Sequence, residues 1–254
     1  MDRHAPVGVF DSGSGGISVL REAVRLLPRE DFIYYGDSKN APYGTKSKDE
    51  VLHLAQNAAD FLLNRGAKAI VIACNTATAC AARELRSMLS VPIIGMEPAL
   101  KPASMLRKNG IVLVMATPGT LESEKYADLY ERYGQNAVSL PCPGLMEFAE
   151  KGDLSSPALH DYLNALLLPY AGQTVDAAVL GCTHYVFLKR AIAAHFSSHT
   201  RVIDGNEGTV RQLIRRLEEC DLLENSEKKG EISFFSSGNE NNLAVFRNLF
   251  EIIT

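Results

Sequence analysis

The chain has 254 residues, and its 26 Lys and Arg against 30 Asp and Glu leave a net charge of −4, without the basic runs that bind nucleic acid. With 46% apolar and 22% charged residues, it has the composition of a globular protein and the length to bury a sizeable core without disulfides. No uncharged apolar stretch of about 18 residues is present to span a membrane, and the N-terminus runs directly into an apolar strand pattern, which predicts no signal peptide.

The first part of the chain alternates short apolar runs with longer stretches of helical spacing. This alternation is typical of crossover units that build a parallel sheet. The third run, residues 69–73, is wholly apolar, as expected of a parallel strand that is covered on both faces. The predicted strands are residues 7–10, 32–35, 69–73 and 92–95, and the predicted helices are residues 17–27, 48–64 and 77–89.

The same order starts again in the second part of the chain, at a nearly constant offset from the first. Strands are predicted at 111–115, 138–140, 177–180 and 201–203, with a helix at 120–133 after the first of them. A polar stretch then precedes a last strand at 231–235 and a helix from residue 241. We therefore predict an α/β fold of two pseudo-symmetric, doubly wound domains with mainly parallel sheets. The first comprises residues 1–98 plus 209–254, and the second comprises residues 99–208.

Chemically reactive side chains follow several strands at their carboxyl ends, which is where open α/β sheets gather ligands. The glycine-rich loop after the first strand offers backbone N–H groups to a carboxylate or a phosphate. In chain order these strand ends read Asp11-Ser12-Gly13-Ser14-Gly15-Gly16, Gly36-Asp37-Ser38 with Tyr43-Gly44 soon after, Cys74-Asn75-Thr76, Thr117-Pro118-Gly119-Thr120, and Cys182-Thr183-His184.

Cys74 and Cys182 differ from the other thiols by their placement. Each follows an apolar strand and precedes a Thr that is able to cap the next helix, and the positive end of a helix dipole favours thiolate over thiol. A lone Cys after a strand is more often core filling, but two at matching positions of two half-repeats indicate function. Cys80, Cys142 and Cys220 lack this context and are predicted to be buried, inert thiols. Because the five cysteines of the chain contain no CxxC pair, we expect them to be free thiols and the protein to reside in the reducing cytoplasm.

Asp11 and His184 lie near these thiol motifs, and each has two interpretations. Asp11 is either a helix N-cap or a contact for a substrate ammonium group. His184 lies two residues from Cys182, so it either assists the thiolate or is a structural histidine. Two opposed thiols suit the inversion of a stereocentre with an acidic C–H bond, because one face needs a base and the other needs a conjugate acid.

Taken together, these motifs closely resemble the signatures of the glutamate racemase family. The resemblance covers residues 7–205 and is carried by Gly8-Val9-Phe10-Asp11-Ser12-Gly13-Ser14-Gly15-Gly16, Tyr35-Gly36-Asp37, Pro42-Tyr43-Gly44, Ala73-Cys74-Asn75-Thr76-Ala77 and Leu180-Gly181-Cys182-Thr183-His184-Tyr185. It implies a racemase that needs no cofactor and no metal and interconverts L- and D-glutamate for peptidoglycan synthesis in the cytoplasm. It also implies an active site in the cleft between the two domains and glutamate as the small-molecule partner. A homodimer is compatible with the resemblance.

The residues of the family site carry over onto matching positions of this chain. Cys74 resembles the base that acts on D-glutamate and Cys182 the base that acts on L-glutamate, with Asp11 and His184 as their helpers. Glu150 matches a further family glutamate that assists them. The positions that match substrate-binding residues are Asp11, Ser12, Tyr43, Gly44, Asn75, Thr76, Thr117, Thr120, Thr183 and His184. Glu147 and Val186 depart from the pattern, since the family usually has proline at both positions.

Alternatives to this function come from the same family and from other classes. The nearest is a racemase of aspartate or a related acidic substrate. A nucleotide- or anion-binding module would use the glycine-rich loop, but Ser18 occupies the third glycine position of the dinucleotide fingerprint, and Asp11 would repel a pyrophosphate. A metal site would combine Cys74, Cys182, His184 and Asp11. A thiol–disulfide enzyme is disfavoured because neither thiol has a resolving partner nearby in sequence.

Overall fold

The computed structural model describes residues 2–252, which form two compact units, residues 2–96 with 206–252 and residues 97–205. Each unit is built around its own parallel sheet. The strands are β1 (Val7–Asp11), β2 (Phe32–Gly36), β3 (Ala69–Ile72), β4 (Ile93–Gly95), β5 (Ile111–Ala116), β6 (Ala137–Pro141), β7 (Val175–Leu180), β8 (Arg201–Asp204) and β9 (Ile232–Ser236).

The two sheets share one strand order. The first runs β4-β3-β1-β2-β9 and the second runs β8-β7-β5-β6, and every neighbouring pair is parallel. Without β9, the two orders become identical when β5 to β8 are matched with β1 to β4. The predicted fold class, two α/β domains with parallel sheets, is confirmed, and each predicted strand of one half has its counterpart in the other.

The central strands are apolar because helices cover both faces of such sheets. Every residue of β1 and β3 is buried, and β5 and β7 are each buried except at one position. The helices are α1 (Ile17–Leu26), α2 (Lys48–Leu63), α3 (Asn75–Met88), α4 (Leu100–Leu106), α5 (Pro118–Leu121), α6 (Glu124–Tyr133), α7 (Leu145–Glu150), α8 (Pro157–Leu167), α9 (Lys189–Ala193), α10 (Asn206–Glu219) and α11 (Glu240–Glu251). Within residues 2–252, no helix is long and apolar enough to cross a membrane.

The helix predicted over residues 120–133 is confirmed from Glu124 to Tyr133, but its predicted start is wrong, because a separate short helix occupies residues 118–121. This short helix, α5, ends at Leu121, and α6 begins at Glu124. Ser123 separates them, since its Oγ donates to Thr120 O at 2.7 Å and accepts a hydrogen bond from Tyr126 N at 3.1 Å. A serine that satisfies a free N–H group in this way starts a new helix rather than continuing the old one.

The C-terminal segment belongs to the first sheet. Its strand β9 pairs in parallel with β2, and α11 packs against β9 and α1. The segment before β9 is held by the buried carboxylate of Glu30, whose Oε1 accepts a hydrogen bond from Glu224 N at 2.8 Å. Its Oε2 lies 2.6 Å from Lys68 Nζ, and both side chains are almost fully buried. Removal of either partner of such a pair is strongly destabilising, because it leaves an uncompensated buried charge.

Candidate active site

In the first unit, the carboxyl ends of β1, β2 and β3 lie side by side. Asp37 N donates a hydrogen bond to Asp11 O at 2.9 Å, and Ala73 N donates to Phe10 O at 2.8 Å, so the parallel ladder continues past the strand ends. The Asp11 side chain is fully buried, and its Oδ1 accepts a hydrogen bond from Gly13 N at 2.9 Å. This sheet edge therefore holds a carboxylate in a fixed orientation.

The glycine-rich loop after β1 packs closely against its neighbours. A Cβ atom on Gly16 would lie 2.6 Å from the Cβ of Asp11 and 2.9 Å from the Cβ of Ala73, so a larger residue does not fit. Gly16 is also the N-cap of α1, and the N-cap interpretation of Asp11 is therefore wrong. Ser12, the next residue along the loop, is buried as well.

Cys74 lies at the start of a helix and caps it with its own sulfur. It occupies the N-cap position of α3, where Sγ accepts a hydrogen bond from Ala77 N at 3.4 Å. The prediction that the following Thr caps this helix is wrong, because α3 begins at Asn75 and Thr76 is its second residue. The Cys74 side chain is thus fixed at the positive end of a helix dipole, which favours the thiolate.

Asn75 and Thr76 form the first turn of α3, and both side chains are buried. Neither the amide nitrogen nor the amide oxygen of Asn75 has a hydrogen-bond partner among residues 2–252. A buried amide without partners is destabilising by several kcal/mol in an apolar surrounding, so such a group is typical of a site that receives a polar ligand. The Asn75 amide is therefore available to hydrogen-bond a polar ligand.

Tyr43 lies in a 3₁₀ turn, Tyr43–Thr45, that also contains Gly44. Its side chain is almost fully buried, and its hydroxyl donates to Asp37 Oδ2 at 2.6 Å. Burial, followed by the hydrogen bond to Asp37 and the charges of Asp37, Cys74 and Asp11, raises the pKa of Tyr43 far above its ordinary value. The phenol therefore remains a donor, and Tyr43 lies in the same buried cluster as Cys74.

In the second unit, three residues from two elements form a hydrogen-bonded chain. Cys182 follows β7, and its Sγ lies 3.7 Å from His184 Nδ1. On the other side of the ring, His184 Nε2 lies 2.5 Å from Glu150 Oε1. Glu150 is the last residue of α7, whereas the nearby Glu147 is exposed and pairs with Lys151. The structure thus brings Glu150, His184 and Cys182 together.

His184 is fully enclosed, and its neighbours determine its charge. Burial alone lowers the pKa of His184, but the hydrogen bonds and charges of Cys182 and Glu150 outweigh burial and raise this pKa well above 6.5. Both ring nitrogens of an imidazolium are donors. We therefore assign Nε2–H as the donor to Glu150 and Nδ1–H as the donor to the sulfur of Cys182.

The turn after Cys182 differs from the turn after Cys74. A four-residue 3₁₀ helix, Thr183–Val186, follows Cys182, and no side chain caps it. The predicted cap by Thr183 is therefore wrong. Thr183 is buried at the start of this turn instead. The sulfur of Cys182 thus depends on His184 rather than on a long helix for its hydrogen bond.

Two threonines line the start of α5, next to β5 in the same sheet. Thr117 is the N-cap residue, and its Oγ1 accepts a hydrogen bond from Thr120 N at 3.3 Å. The two hydroxyl oxygens lie 3.0 Å apart, and Thr120 is buried. They follow β5 as Cys182 follows its neighbour β7, so the two threonines and the thiol lie at the same edge of this sheet.

Sequence reasoning assigned no site role to Cys142 or Tyr185, which lie next to Cys182. Burial, and after it the charge of Cys182, raises the pKa of Cys142, whose Sγ donates to Leu140 O at 3.2 Å. Tyr185 is fully buried, and its hydroxyl donates to Cys142 O at 3.1 Å. Cys142 thus remains a thiol that fills space, as predicted for a buried cysteine without context.

The cysteines are all free among the described residues. Cys220 is exposed and Cys80 is partly exposed, so the prediction that these two thiols are buried is wrong. Among residues 2–252, no group of three or more His, Cys, Asp and Glu side chains is arranged to hold a metal ion.

Comparison with known proteins places these features in a family context. The Asp/Glu/Hydantoin racemase family model matches residues 7–213. The chain is 49% identical to a glutamate racemase from Clostridium perfringens, over 98% of each chain.

Solved structures are similar along nearly the whole chain. A glutamate racemase isoform from Bacillus anthracis has a TM-score of 0.88 at 32% identity, with 99% of this chain and 96% of that chain covered. A glutamate racemase from Francisella tularensis in complex with D-glutamate has a TM-score of 0.84 at 30% identity, with 98% and 95% covered.

Proposed function

Because the chain belongs to the Asp/Glu/Hydantoin racemase family, we propose that it is a glutamate racemase, an isomerase that interconverts L- and D-glutamate without a cofactor. The substrate is inferred from the curated relative that is 49% identical over 98% of this chain. The reaction is inferred from the chemistry of the residues at the two sheet edges.

The observation that carries the mechanism is the matched placement of two thiols. Cys74 lies two residues beyond the end of β3, and Cys182 lies two residues beyond the end of β7. These strands hold equivalent positions in the two sheets. A pair of equivalent groups suits a reaction whose substrate and product are mirror images, because each group takes the other's role in the reverse direction.

In the proposed reaction, the thiolate of one cysteine removes the proton from Cα of glutamate. The electron pair of the broken C–H bond stays on the substrate as a carbanion that spreads onto the carboxylate. The thiol of the other cysteine donates its proton to the opposite face of Cα, which forms the enantiomer and leaves that cysteine as a thiolate. We propose that Cys74 is the base for D-glutamate and Cys182 is the base for L-glutamate.

Two charged groups support the thiols in this scheme. The His184 imidazolium donates to Cys182 and is itself held by Glu150, so it stabilises the thiolate and keeps its sulfur oriented. We assign Asp11 to the Cys74 side of the reaction, since its buried carboxylate has the charge to bind the substrate ammonium group.

The remaining polar residues bind and orient the substrate. In the first unit, the partnerless amide of Asn75 and the N-terminus of α3 suit a carboxylate whose charge increases in the transition state. We assign the binding and orientation of the substrate to the other residues at the two sheet edges. Tyr43 contributes its backbone N–H group, because its hydroxyl donates to Asp37. The remaining residues are Ser12, Gly44 and Thr76 in the first unit and Thr117, Thr120 and Thr183 in the second.

The cellular role follows from the product and from the thiols. We propose that the enzyme supplies D-glutamate for peptidoglycan synthesis, as the family resemblance implies. The mechanism requires both cysteines to be reduced, and the described cysteines are free. We therefore propose that the enzyme acts in the cytoplasm, where thiols persist.

A chiral assay tests the proposed activity directly. The purified protein is incubated with L-glutamate or D-glutamate without added cofactor and in the presence of a chelator. The ellipticity of the amino acid is monitored over time by circular dichroism. We expect both enantiomers to converge on the racemate. Turnover of aspartate in place of glutamate would assign the substrate to the related acidic class. Stable optical signals for both amino acids, or a thermal shift with adenine nucleotides alone, would refute racemase function.

A further inference from the structure

Asp37 is a buried carboxylate that the mechanism above leaves without a role. It follows β2, and only 3% of its surface is exposed. Both of its oxygens accept hydrogen bonds from the segment that follows. Asn40 Nδ2 lies 3.0 and 3.1 Å from the two oxygens, and the Tyr43 hydroxyl lies 2.6 Å from Oδ2. The last distance is typical of a charge-assisted O–H···O⁻ hydrogen bond.

Tyr43, whose hydroxyl Asp37 holds, lies close to the helix that carries the Cys74 thiol. Tyr43 and Cys74 belong to one buried cluster that also contains Ala77 of α3, and the 3₁₀ turn of Tyr43 contacts α3. The charge of Cys74 also acts on the Tyr43 hydroxyl. The Tyr43 ring therefore lies in the same buried cluster as Cys74, next to the start of the helix that carries this thiol, and its hydroxyl is fixed by a carboxylate from a different strand end.

We propose that Asp37 is a positioning residue that acts through Tyr43 to hold the turn at residues 43–45 against the start of α3 and thereby keeps Cys74 in place. Its oxygens already accept hydrogen bonds from Asn40 and Tyr43, so Asp37 is not the partner of the substrate ammonium group. The kinetic part of its test depends on the proposed racemase function, whereas the chemical part does not.

The test compares three variants of the hydrogen-bonded pair formed by Asp37 and Tyr43. Tyr43→Phe removes only the hydroxyl, Asp37→Ala removes the acceptor, and Asp37→Asn keeps an amide oxygen that still accepts from Tyr43. Tyr126→Phe is the matched control, because Tyr126 is a buried tyrosine of the second unit whose hydroxyl bonds to Ser139 at 2.7 Å. The thermal midpoint of each variant is measured alongside.

The chemical readout is the rate at which iodoacetamide alkylates Cys74, quantified on its peptide by mass spectrometry. Loosening of the turn exposes a thiol that is now 7% exposed. We expect Tyr43→Phe and Asp37→Ala to raise the Cys74 rate by at least about fivefold, with the Cys182 rate unchanged as an internal control. Asp37→Asn and Tyr126→Phe should leave the Cys74 rate near the wild-type value, even where they lower the thermal midpoint.

The kinetic readout is racemisation of glutamate in both directions. Tyr43→Phe and Asp37→Ala should lower kcat by about tenfold or more, as expected when a hydrogen bond to a buried charge is lost. The double variant should be no worse than the poorer single variant, because both changes break one contact. Asp37→Asn should restore most of the activity.

Three outcomes would overturn the proposal. If Asp37→Asn is as impaired as Asp37→Ala, the charge itself acts on the substrate. If Tyr43→Phe leaves both the Cys74 rate and kcat unchanged, the hydroxyl positions nothing. If the Cys74 and Cys182 rates rise together, the effect is general loss of stability. A wild-type protein that does not racemise glutamate would refute the proposed function instead, while the alkylation rates would still decide the role of Asp37.

Discussion

Replacement of Glu150 by Gln probes the hydrogen-bonded chain that ends at Cys182. Glu150→Gln keeps the size of the side chain and an acceptor oxygen, but it removes the negative charge that His184 Nε2 faces at 2.5 Å. The side chain of Glu150 is 24% exposed and that of His184 is 2% exposed, so the contact is largely shielded from water. The change therefore removes a charge and leaves the packing intact.

The expected loss follows from the kind of contact. A hydrogen bond to a charged group contributes about 1.5–3 kcal/mol, which corresponds to a ten- to roughly 150-fold change in rate at about 1.4 kcal/mol per tenfold. Because Gln still accepts a hydrogen bond, we expect kcat/KM to fall by about tenfold, toward the lower limit of this range. Since the two enantiomers have equal free energies, kcat/KM must fall equally in both directions, whereas kcat is free to fall unequally.

The same substitution should change the pH dependence of stability. A raised His184 pKa adds stability that is fully present below the unfolded value of about 6.5 and is lost as pH rises through the folded pKa. Glu150→Gln lowers the His184 pKa, so the difference in free energy of unfolding between wild type and variant should be largest near about pH 6. This difference should shrink as pH rises above about 6.5. Urea unfolding of both proteins at several pH values measures the difference.

Glu147→Gln is the matched control in the same helix. The Glu147 side chain is 62% exposed and pairs with Lys151 at 3.4 Å, and a surface pair of this kind contributes about 0–1 kcal/mol. We expect its kcat/KM to stay within about twofold of wild type. Equal losses in the two variants, or a Glu150→Gln enzyme with unchanged kinetics and unchanged pH dependence, would refute the reasoning.

Two further predictions concern the thiols and the packing of the glycine-rich loop. Cys74→Ser and Cys182→Ser should each abolish racemisation of both enantiomers in the chiral assay. The double variant should be little worse than either single variant, because the effects of groups that act as a unit are non-additive. A single variant with near-wild-type turnover would remove that cysteine from the mechanism. Gly16→Ala should lower the free energy of unfolding by about 1–3 kcal/mol, because its Cβ would meet two β-carbons within 3 Å. Gly208→Ala in α10 meets no atom within 4 Å and should be neutral or stabilising by up to about 1 kcal/mol, as urea unfolding will measure. Equal effects of the two alanines would contradict this packing argument.

The sheet architecture was predictable because parallel strands leave a strong local signal. Apolar runs bounded by small polar residues marked each strand, and their repetition gave the matching of β5 to β8 with β1 to β4. The positions of Cys74 and Cys182 followed from the same signal, since a residue that follows a buried strand lies at the sheet edge whatever the next element is.

Other features depend on contacts that leave no local pattern. Glu150 precedes His184 by 34 positions, so no helical or strand periodicity links them, and only packing of α7 against the turn after Cys182 brings them together. The hydrogen bond between Asp37 and Tyr43 was missed for a related reason. Both residues stood in recognised motifs, but the short turns between them have no periodicity to show which side chains meet.

The conformation of the segments that follow Cys74 and Cys182 could not be predicted from the local sequence. The two motifs read alike, with a Thr close behind each Cys, yet a long helix follows Cys74 and a short 3₁₀ turn follows Cys182. Capping propensity predicted a Thr cap at both places. In the first case the cysteine sulfur itself took the N-cap position, and in the second no helix long enough to need a cap was formed.

The two-base mechanism is tested most directly by the fate of the α-proton in deuterated water. With separate bases, the thiol that protonates the product has exchanged with solvent, so it is not carrying the proton just removed. Starting from unlabelled L-glutamate, we expect D-glutamate formed at early conversion to carry deuterium at the α-carbon, while the remaining L-glutamate stays largely unlabelled. A single base that serves both faces would return protium to the product and wash deuterium into recovered substrate, and that result would contradict the assignment of Cys74 and Cys182 to opposite faces.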